Sequence, residues 1–214
     1  MSTIAPRVIL ITDPAYTLDR TARVIEAAAA ALGTGGLMVQ LRDKTSPRLQ
    51  VASLARQMRK HTTSCGALFC INLVRDGEDW LDLAKDVGAD AVHVPCDRRR
   101  AGLARASVKW VSVPTHTDPD AFTADASHAD AMLVSPIFLV PGKGHPRGVG
   151  AIAAARRYRK RVYALGGITP ERAQMCAAAG AHGVAVIRAL LAADDPGAVA
   201  LELGKPFATP AEPV

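Results

Sequence analysis

The sequence predicts a single-domain α/β protein, an eight-fold (β/α)₈ barrel of the TIM type, on three observations. Short apolar runs recur about eight times along 214 residues, each of strand length and with little polar alternation. Parallel strands covered on both faces read this way. Amphipathic or alanine-rich stretches separate the runs, which gives strand and helix in alternation. Hydrophobic residues make up 49% of the chain but aromatics only 4%, so the core must be built from Ala, Val, Leu and Ile. The structural competitor is a doubly wound open sheet, and the strand count favours the barrel.

The expected strands run Val8 to Thr12, Leu37 to Leu41, Ala67 to Ile71 and Ala91 to Val94, then Trp110 to Val113, Ala131 to Val134, Val162 to Leu165 and Gly183 to Ile187. The first helix is expected over Asp19 to Leu32, with Val24, Ala28 and Leu32 at helical spacing. The second, Ser46 to His61, opens on Ser46-Pro47, a cap followed by proline in the first turn. Pro119 to Ala129, Ile152 to Tyr158 and Thr169 to Ala179 follow, the last opening on Thr169-Pro170. The third and fourth helices, around Trp80 to Val87 and Arg98 to Leu103, look short. A small phrase closes several helices: Val87-Gly88-Ala89-Asp90, Ser127-His128-Ala129-Asp130 and Ala179-Gly180-Ala181-His182. Its glycine suits the left-handed conformation that stops a helix. Residues 204 to 214 carry three prolines and read as a loose tail after a barrel over 1–203.

The net charge of +6 gathers in two runs, Arg98 to Arg100 and Arg156 to Arg161. No aromatic interleaving or nucleic-acid motif accompanies them, so they are expected to be solvated faces rather than a nucleic-acid surface. The positive balance also suits a phosphate or pyrophosphate site. Cys65, Cys70, Cys96 and Cys176 form no CxxC pair and no metal spacing. No signal peptide precedes Val8, and no apolar run is long enough to span a membrane. A reducing cytoplasm with unpaired thiols is therefore expected.

Barrel ligands bind on the loops that follow the strands. Gln40, Arg42 and Lys44 fall at the end of the second strand, Asn72 at the third, His93 at the fourth and His116 at the fifth. Ser135, Lys143 and His145 lie on a long glycine-rich loop after the sixth, which could close over a ligand. Gly166 and Gly167 end the seventh strand; Val186, Ile187 and Arg188 end the eighth. The glycine pair, leading into a helix at Thr169, is the expected phosphate anchor. Arg42 and Lys44 suit a second anion or a diphosphate. His116 is a candidate acid or base. His93 sits within an apolar run and is expected to be a satisfied or site-lining histidine. No metal site is expected from His93, Cys96, His116 and His145, which share no short ligand spacing.

Taken together, several of these segments resemble the thiamine phosphate synthase/TenI family. They are Leu10 to Asp13, Val39-Gln40-Leu41-Arg42-Asp43-Lys44, Gly88 to His93, Thr115-His116-Thr117, Ser135 to Phe138, Leu165-Gly166-Gly167-Ile168-Thr169 and Gly183 to Ile187. Their order and spacing from Val8 to Pro196 make the resemblance specific. It implies a thiamine-pathway barrel that binds a small phosphorylated thiazole, and a tendency to form homodimers. Synthase members join a hydroxymethylpyrimidine diphosphate to a thiazole phosphate and release pyrophosphate with Mg²⁺. TenI-like members act on the thiazole phosphate alone, and the characterised ones shift a ring double bond.

The departures are as informative as the match. Synthases carry Asp after the third-strand Asn as a Mg²⁺ ligand; here Leu73 follows Asn72, and leucine cannot ligate a hard cation. A second metal carboxylate is replaced by Arg98, with Asp97 one residue early. The Thr-x-Thr-Lys of loop six reads Val140-Pro141-Gly142-Lys143, keeping only the lysine. Pro114 and Arg188 stand where serines are usual. Arg98 and Arg188 could partly replace the lost metal charge. On this pattern the resemblance favours a TenI-like thiazole tautomerase, with His116 moving the proton and no cofactor. A synthase, with Mg²⁺ only in that case, and a non-catalytic thiazole or thiamine phosphate-binding regulatory barrel are the alternatives.

Overall fold

The computed structural model describes residues 5–73, 79–125, 128–158 and 160–208. Eight parallel strands close into a barrel in chain order, with β8 returning to pair with β1. The strands are β1 (Val8–Ile11), β2 (Leu37–Leu41), β3 (Leu68–Asn72), β4 (Ala91–His93), β5 (Trp110–Thr115), β6 (Ala131–Val134), β7 (Arg161–Leu165) and β8 (Gly183–Val186). The expected positions hold, with ends shifted by one or two residues. Thr12, Val94 and Ile187 fall just outside their strands, whereas Asn72 and Thr115 lie inside theirs.

The helices are α1 (Leu18–Leu32), α2 (Arg48–Ser64), α3 (Asp79–Asp86), α4 (Arg98–Arg105), α5 (Asp118–Asp125), α6 (Gly150–Ala155), α7 (Pro170–Ala178), α8 (Arg188–Leu191) and α9 (Pro196–Gly204). Thr169 caps α7 as expected, its hydroxyl accepting from the Arg172 amide. Ser46 does not cap α2; Pro47 occupies that position without a side-chain bond. The helix expected from Pro119 to Ala129 ends at Asp125. The sequence reading missed α8 and α9. Gly204 closes α9 and Lys205–Phe207 form a 3₁₀ turn, so the boundary expected at 204 falls within regular structure. Residues 209–214 lie outside the described residues.

Side-chain alternation splits the core into two layers. One face of each strand packs under the helices. The other fills the barrel with Ile9, Ile11, Met38, Cys70, Ala91, Trp110, Ala131, Leu133, Tyr163 and Ala185. Trp110 and Tyr163 meet edge to face, ring centres 6.0 Å apart, so two of the few aromatics plug the centre. Gly183 makes room for them: a Cβ there would lie 2.7 Å from the Tyr163 ring.

Where it carries glycine the phrase expected to stop helices does so, with φ of 63° at Gly88 and 91° at Gly180; Ser127 of the third occurrence lies outside the described residues. Its last residue has a second role. The Asp90 carboxylate accepts from the Phe69 amide (2.9 Å), Asp130 from Val111 (2.9 Å) and His182 Nδ1 from Val162 (3.0 Å). The amides of these three residues donate back to the carbonyls of Phe69, Val111 and Val162. Each pair clasps the start of β3, β5 or β7 to the turn before the next strand, at the end of the barrel away from the site.

Candidate functional site

The site gathers at the C-terminal ends of the strands, and the inward alternation decides which side chains face it. Asn72 pairs in register with His93, and His93 with Ser112, so three polar side chains cross the upper barrel in one row. Asn72 Nδ2 donates to Gln40 Oε1 at 3.0 Å. Gln40 is 1% and Asn72 9% exposed, and Gln40 Nε2 and Asn72 Oδ1 have no partner. Exchanging O and N in both amides leaves the same pattern, one orphaned donor beside one orphaned acceptor. Orphans of this kind in a buried row are expected at a ligand position.

His93 is buried and its Nδ1 faces Ser112 Oγ at 2.9 Å. Burial, and then the charges of His116 and Arg42, push its pKa down to about 3. His93 is therefore neutral at ordinary pH, in keeping with a site-lining group rather than an acid. Ser112, its partner, was not singled out in the sequence, because the contact depends on strand register.

His116 follows β5 on an exposed turn. Its Nδ1 lies 3.1 Å from Ser135 Oγ and 3.2 Å from Ser135 O. The Asp120 carboxylate accepts from the amides of His116 (2.8 Å) and Thr117 (2.9 Å), while the Asp120 amide donates to Thr117 Oγ1 (3.3 Å). This reciprocal cap fixes the backbone under His116. The spacing Thr117-x-x-Asp120 was a readable signal for it.

Arg42, Lys44 and Lys143 form the cationic side of the mouth. The Arg42 amide donates to Thr12 Oγ1 at 3.0 Å. The charge of Arg42, then burial, then the charge of Lys143 hold the Lys44 ammonium below its ordinary pKa. Arg42 and Lys143, from the loops after β2 and β6, thus both act on Lys44.

Across the mouth, the loops after β7 and β8 enclose a cleft of about 570 Å³ whose lining includes Gly166, Gly167, Thr169, Arg172, Ile187 and Arg188. Gly166 and Gly167 have φ of 102° and 66°. Glycine is required here for packing as well as for φ. A Cβ on Gly166 would lie 3.0 Å from Pro136, and one on Gly167 would lie 2.9 Å from Leu139 O and Phe138 Cβ. Among the described residues the amides of Gly166, Gly167 and Ile187 donate to no carbonyl, which suits an anion. Arg172 was not anticipated. It donates to Gly167 O (2.6 Å) and lies over the Phe138 ring (4.8 Å), tying the glycine loop to loop six. Loop six is further held by Arg147, which pairs with Asp118 at 2.9 Å and reaches Thr115 O. His145 is exposed on that loop.

The described donors are not arranged for Mg²⁺, and Asp76 and Glu78 lie outside the described residues. No group of three or more His, Cys, Asp or Glu that could hold a metal occurs among the described residues. Leu73 is buried in the apolar layer, and Asp97 caps α4 through the Arg100 amide at 2.8 Å. The side chain of Arg98 lies outside the described residues. No described helix is long and apolar enough to cross a membrane.

Fold and site define a (β/α)₈ barrel with a glycine-lined cleft at the C-terminal ends of β7 and β8. A family model described as thiamine monophosphate synthase matches residues 8–190. The chain belongs to that family. A thiamine-phosphate synthase of Moorella thermoacetica is 34% identical over 186 residues, 84% of this chain and 86% of the relative. One of Gloeobacter violaceus is 35% identical over 200 residues, covering 90% of this chain but only 55% of that longer relative. The thiamine phosphate pyrophosphorylase structure from Pyrococcus furiosus superposes with a TM-score of 0.78 at 22% identity, covering 95% and 96% of the two chains. At that identity it supports the fold alone. The relatives' names favour the synthase alternative over the tautomerase branch that the sequence departures favoured.

Proposed function

We propose that this chain is a transferase of the thiamine-phosphate synthase type, joining a hydroxymethylpyrimidine diphosphate to a thiazole phosphate. The orphaned donor and acceptor on Gln40 and Asn72 carry this reading. They match the alternating ring nitrogen and amino group of an aminopyrimidine edge, for which a thiazole phosphate alone has no use. His93, neutral and fixed by Ser112, completes the floor. The thiazole phosphate is anchored on the glycine cleft, on the amides around Gly166, Gly167, Val186 and Ile187 and on Arg188. In the reaction the carbon–oxygen bond to the diphosphate breaks and its electron pair leaves with pyrophosphate. The thiazole nitrogen then bonds the exocyclic carbon. Such a step needs stabilisation of the leaving anion more than a base, and Arg42, Lys44 and Lys143 are the cations assigned to it in this reading. A coupled assay for thiamine phosphate with both substrates tests the proposal; no product at high enzyme concentration ends it.

A tautomerase is the second reading, favoured by His116 held against Ser135 and by Leu73 after Asn72. Aromatisation of the thiazole carboxylate phosphate would follow, at a rate that His116→Ala lowers. Equal rates for the two proteins would remove His116 from it. Binding of thiazole phosphate with no turnover in either assay would leave the non-catalytic barrel.

A further inference from the structure

The second basic run, Arg156 to Arg161, takes no part in the mouth of the barrel. Two of its arginines are spent locally. Arg156 donates to Gly180 O at 3.2 Å, and Arg157 lies over the Tyr158 ring at 4.9 Å. Arg161 opens β7 at the end of the barrel opposite the mouth. There it lines a cavity of about 490 Å³ together with Arg7, Thr34, Gly36, His182 and Phe207. No Asp or Glu stands among the described lining residues, and Glu212 lies outside the described residues. A cavity of this size falls within the roughly 300–1,000 Å³ usual for small-molecule sites.

Backbone bonds set the polar groups of this cavity side by side. The Arg7 amide donates to Gly36 O at 2.9 Å, and Arg7 O accepts from the amide of Val184 at 3.1 Å. The His182 amide donates at 2.7 Å to the carbonyl of Val162, the neighbour of Arg161. Arg7 passes over Gly36 to donate to Leu32 O at the end of α1. A Cβ on Gly36 would lie 3.1 Å from Arg7 Nη2, so glycine makes room for the guanidinium. Capping α1 uses one of the five N–H donors that a guanidinium carries. His182 Nδ1 accepts from the Val162 amide at 3.0 Å, so the neutral ring bears its proton on Nε2, a further donor. Burial, and then the charges of Arg156 and Arg161, hold that imidazole below its ordinary pKa. Two guanidiniums and an imidazole N–H around one cavity supply the charge and the donors that phosphate oxygens accept.

We propose that this cavity is a second anion site, at the opposite end of the barrel from the mouth, and that it takes a phosphorylated small molecule between Arg7 and Arg161 with the His182 Nε2–H as a third donor. Phe207 supplies an apolar wall for the rest of the ligand. Nothing in this site depends on which reaction runs at the mouth.

Titration of inorganic pyrophosphate into the ¹⁵N-labelled protein, followed by NMR with sodium chloride at matched ionic strength as the blank, tests it. Saturating shifts are expected at the Gly35 and Gly36 amides and on the His182 ring. Arg161→Gln and Thr34→Glu should each weaken the binding about tenfold, the first by removing a charge-assisted contact and the second by adding a carboxylate to the cavity. Thr34 is exposed, so its variant decides the matter where Arg161→Gln fails to fold, as urea midpoints would show. The same shifts should persist in Arg188→Ser, which alters the mouth. Shifts that chloride reproduces, that vanish in Arg188→Ser, or that keep wild-type affinity in every cavity variant that folds overturn the inference, as does the absence of any shift at these residues.

Discussion

Acidification from pH 7.5 to 4.5 is expected to destabilise the fold by about 3 kcal/mol through His93 alone. The imidazole is buried against Ser112, and its pKa falls from 6.5 to about 3, chiefly through burial. The folded protein keeps it neutral across the whole interval. The unfolded chain takes up the proton below about pH 6.5. Stability is therefore complete above 6.5 and is lost as the pH falls toward 3. At pH 4.5 the unfolded side leads by two pH units, and each is worth about 1.4 kcal/mol. A loss of about 3 kcal/mol is large against the roughly 5–15 kcal/mol typical of a domain. Urea unfolding of the wild type and His93→Asn at both pH values measures the effect. Asparagine keeps a polar partner for Ser112 but cannot titrate. His182, whose pKa is also lowered, chiefly by burial, titrates in both proteins and drops out of the difference. The wild type should lose about 3 kcal/mol more than the variant. Equal losses would refute the reasoning, since they would mean that His93 is not held neutral by the fold.

Gly167→Ala forces a Cβ to 2.9 Å from Leu139 O at a φ of 66°, a backbone cost of about 1–2 kcal/mol before any clash. It should lower the melting temperature and weaken inorganic phosphate binding by displacing loop six. Arg188→Ser removes a guanidinium from the same cleft. Phosphate affinity by calorimetry should drop about tenfold and become less sensitive to salt, with the melting temperature unchanged. Asp130→Ala deletes the carboxylate bound to the Val111 amide and should cost about 1.5–3 kcal/mol in urea unfolding. Tyr163→Phe removes a buried hydroxyl that has no partner; stability should stay within about 1 kcal/mol of wild type or rise.

The strands were legible because a parallel strand covered on both faces must be apolar throughout, and this chain seldom uses such runs elsewhere. Helix α9 was missed although its signal was present. Asp195 precedes Pro196, and its carboxylate accepts from the Ala198 amide at 2.9 Å, the same cap-then-proline logic that located α7. Helix α8 gave little to read, since Arg188–Leu191 follows the last strand residues with one intervening residue. The helix-stopping phrase was read correctly for its glycine, but its clasp to the preceding strand depends on partners about 20 residues away.

The site divides along the same line. Its glycine cleft was readable because one local feature, a glycine pair between a strand and a capped helix, sets the conformation there. The structure adds a steric reason for those glycines, the backbone of loop six lying against them, which couples the glycine cleft to the loop bearing Lys143. The buried polar row was not readable as a unit. Gln40, Asn72, His93 and Ser112 come from four strands; the register sets the last three side by side, and Gln40, level with Cys70, reaches Asn72 through its side chain. Two amides that satisfy each other once leave one donor and one acceptor unspent. In the reading proposed above, that surplus distinguishes a two-substrate site from a barrel that merely holds a phosphate. In that reading loss of carboxylates alone does not imply loss of coupling, since the buried polar row is retained. Gln40→Leu separates the two possibilities. It should abolish pyrimidine diphosphate binding while leaving thiazole phosphate affinity within about twofold, and parallel loss of both would mean that the amide pair is structural support for a single site.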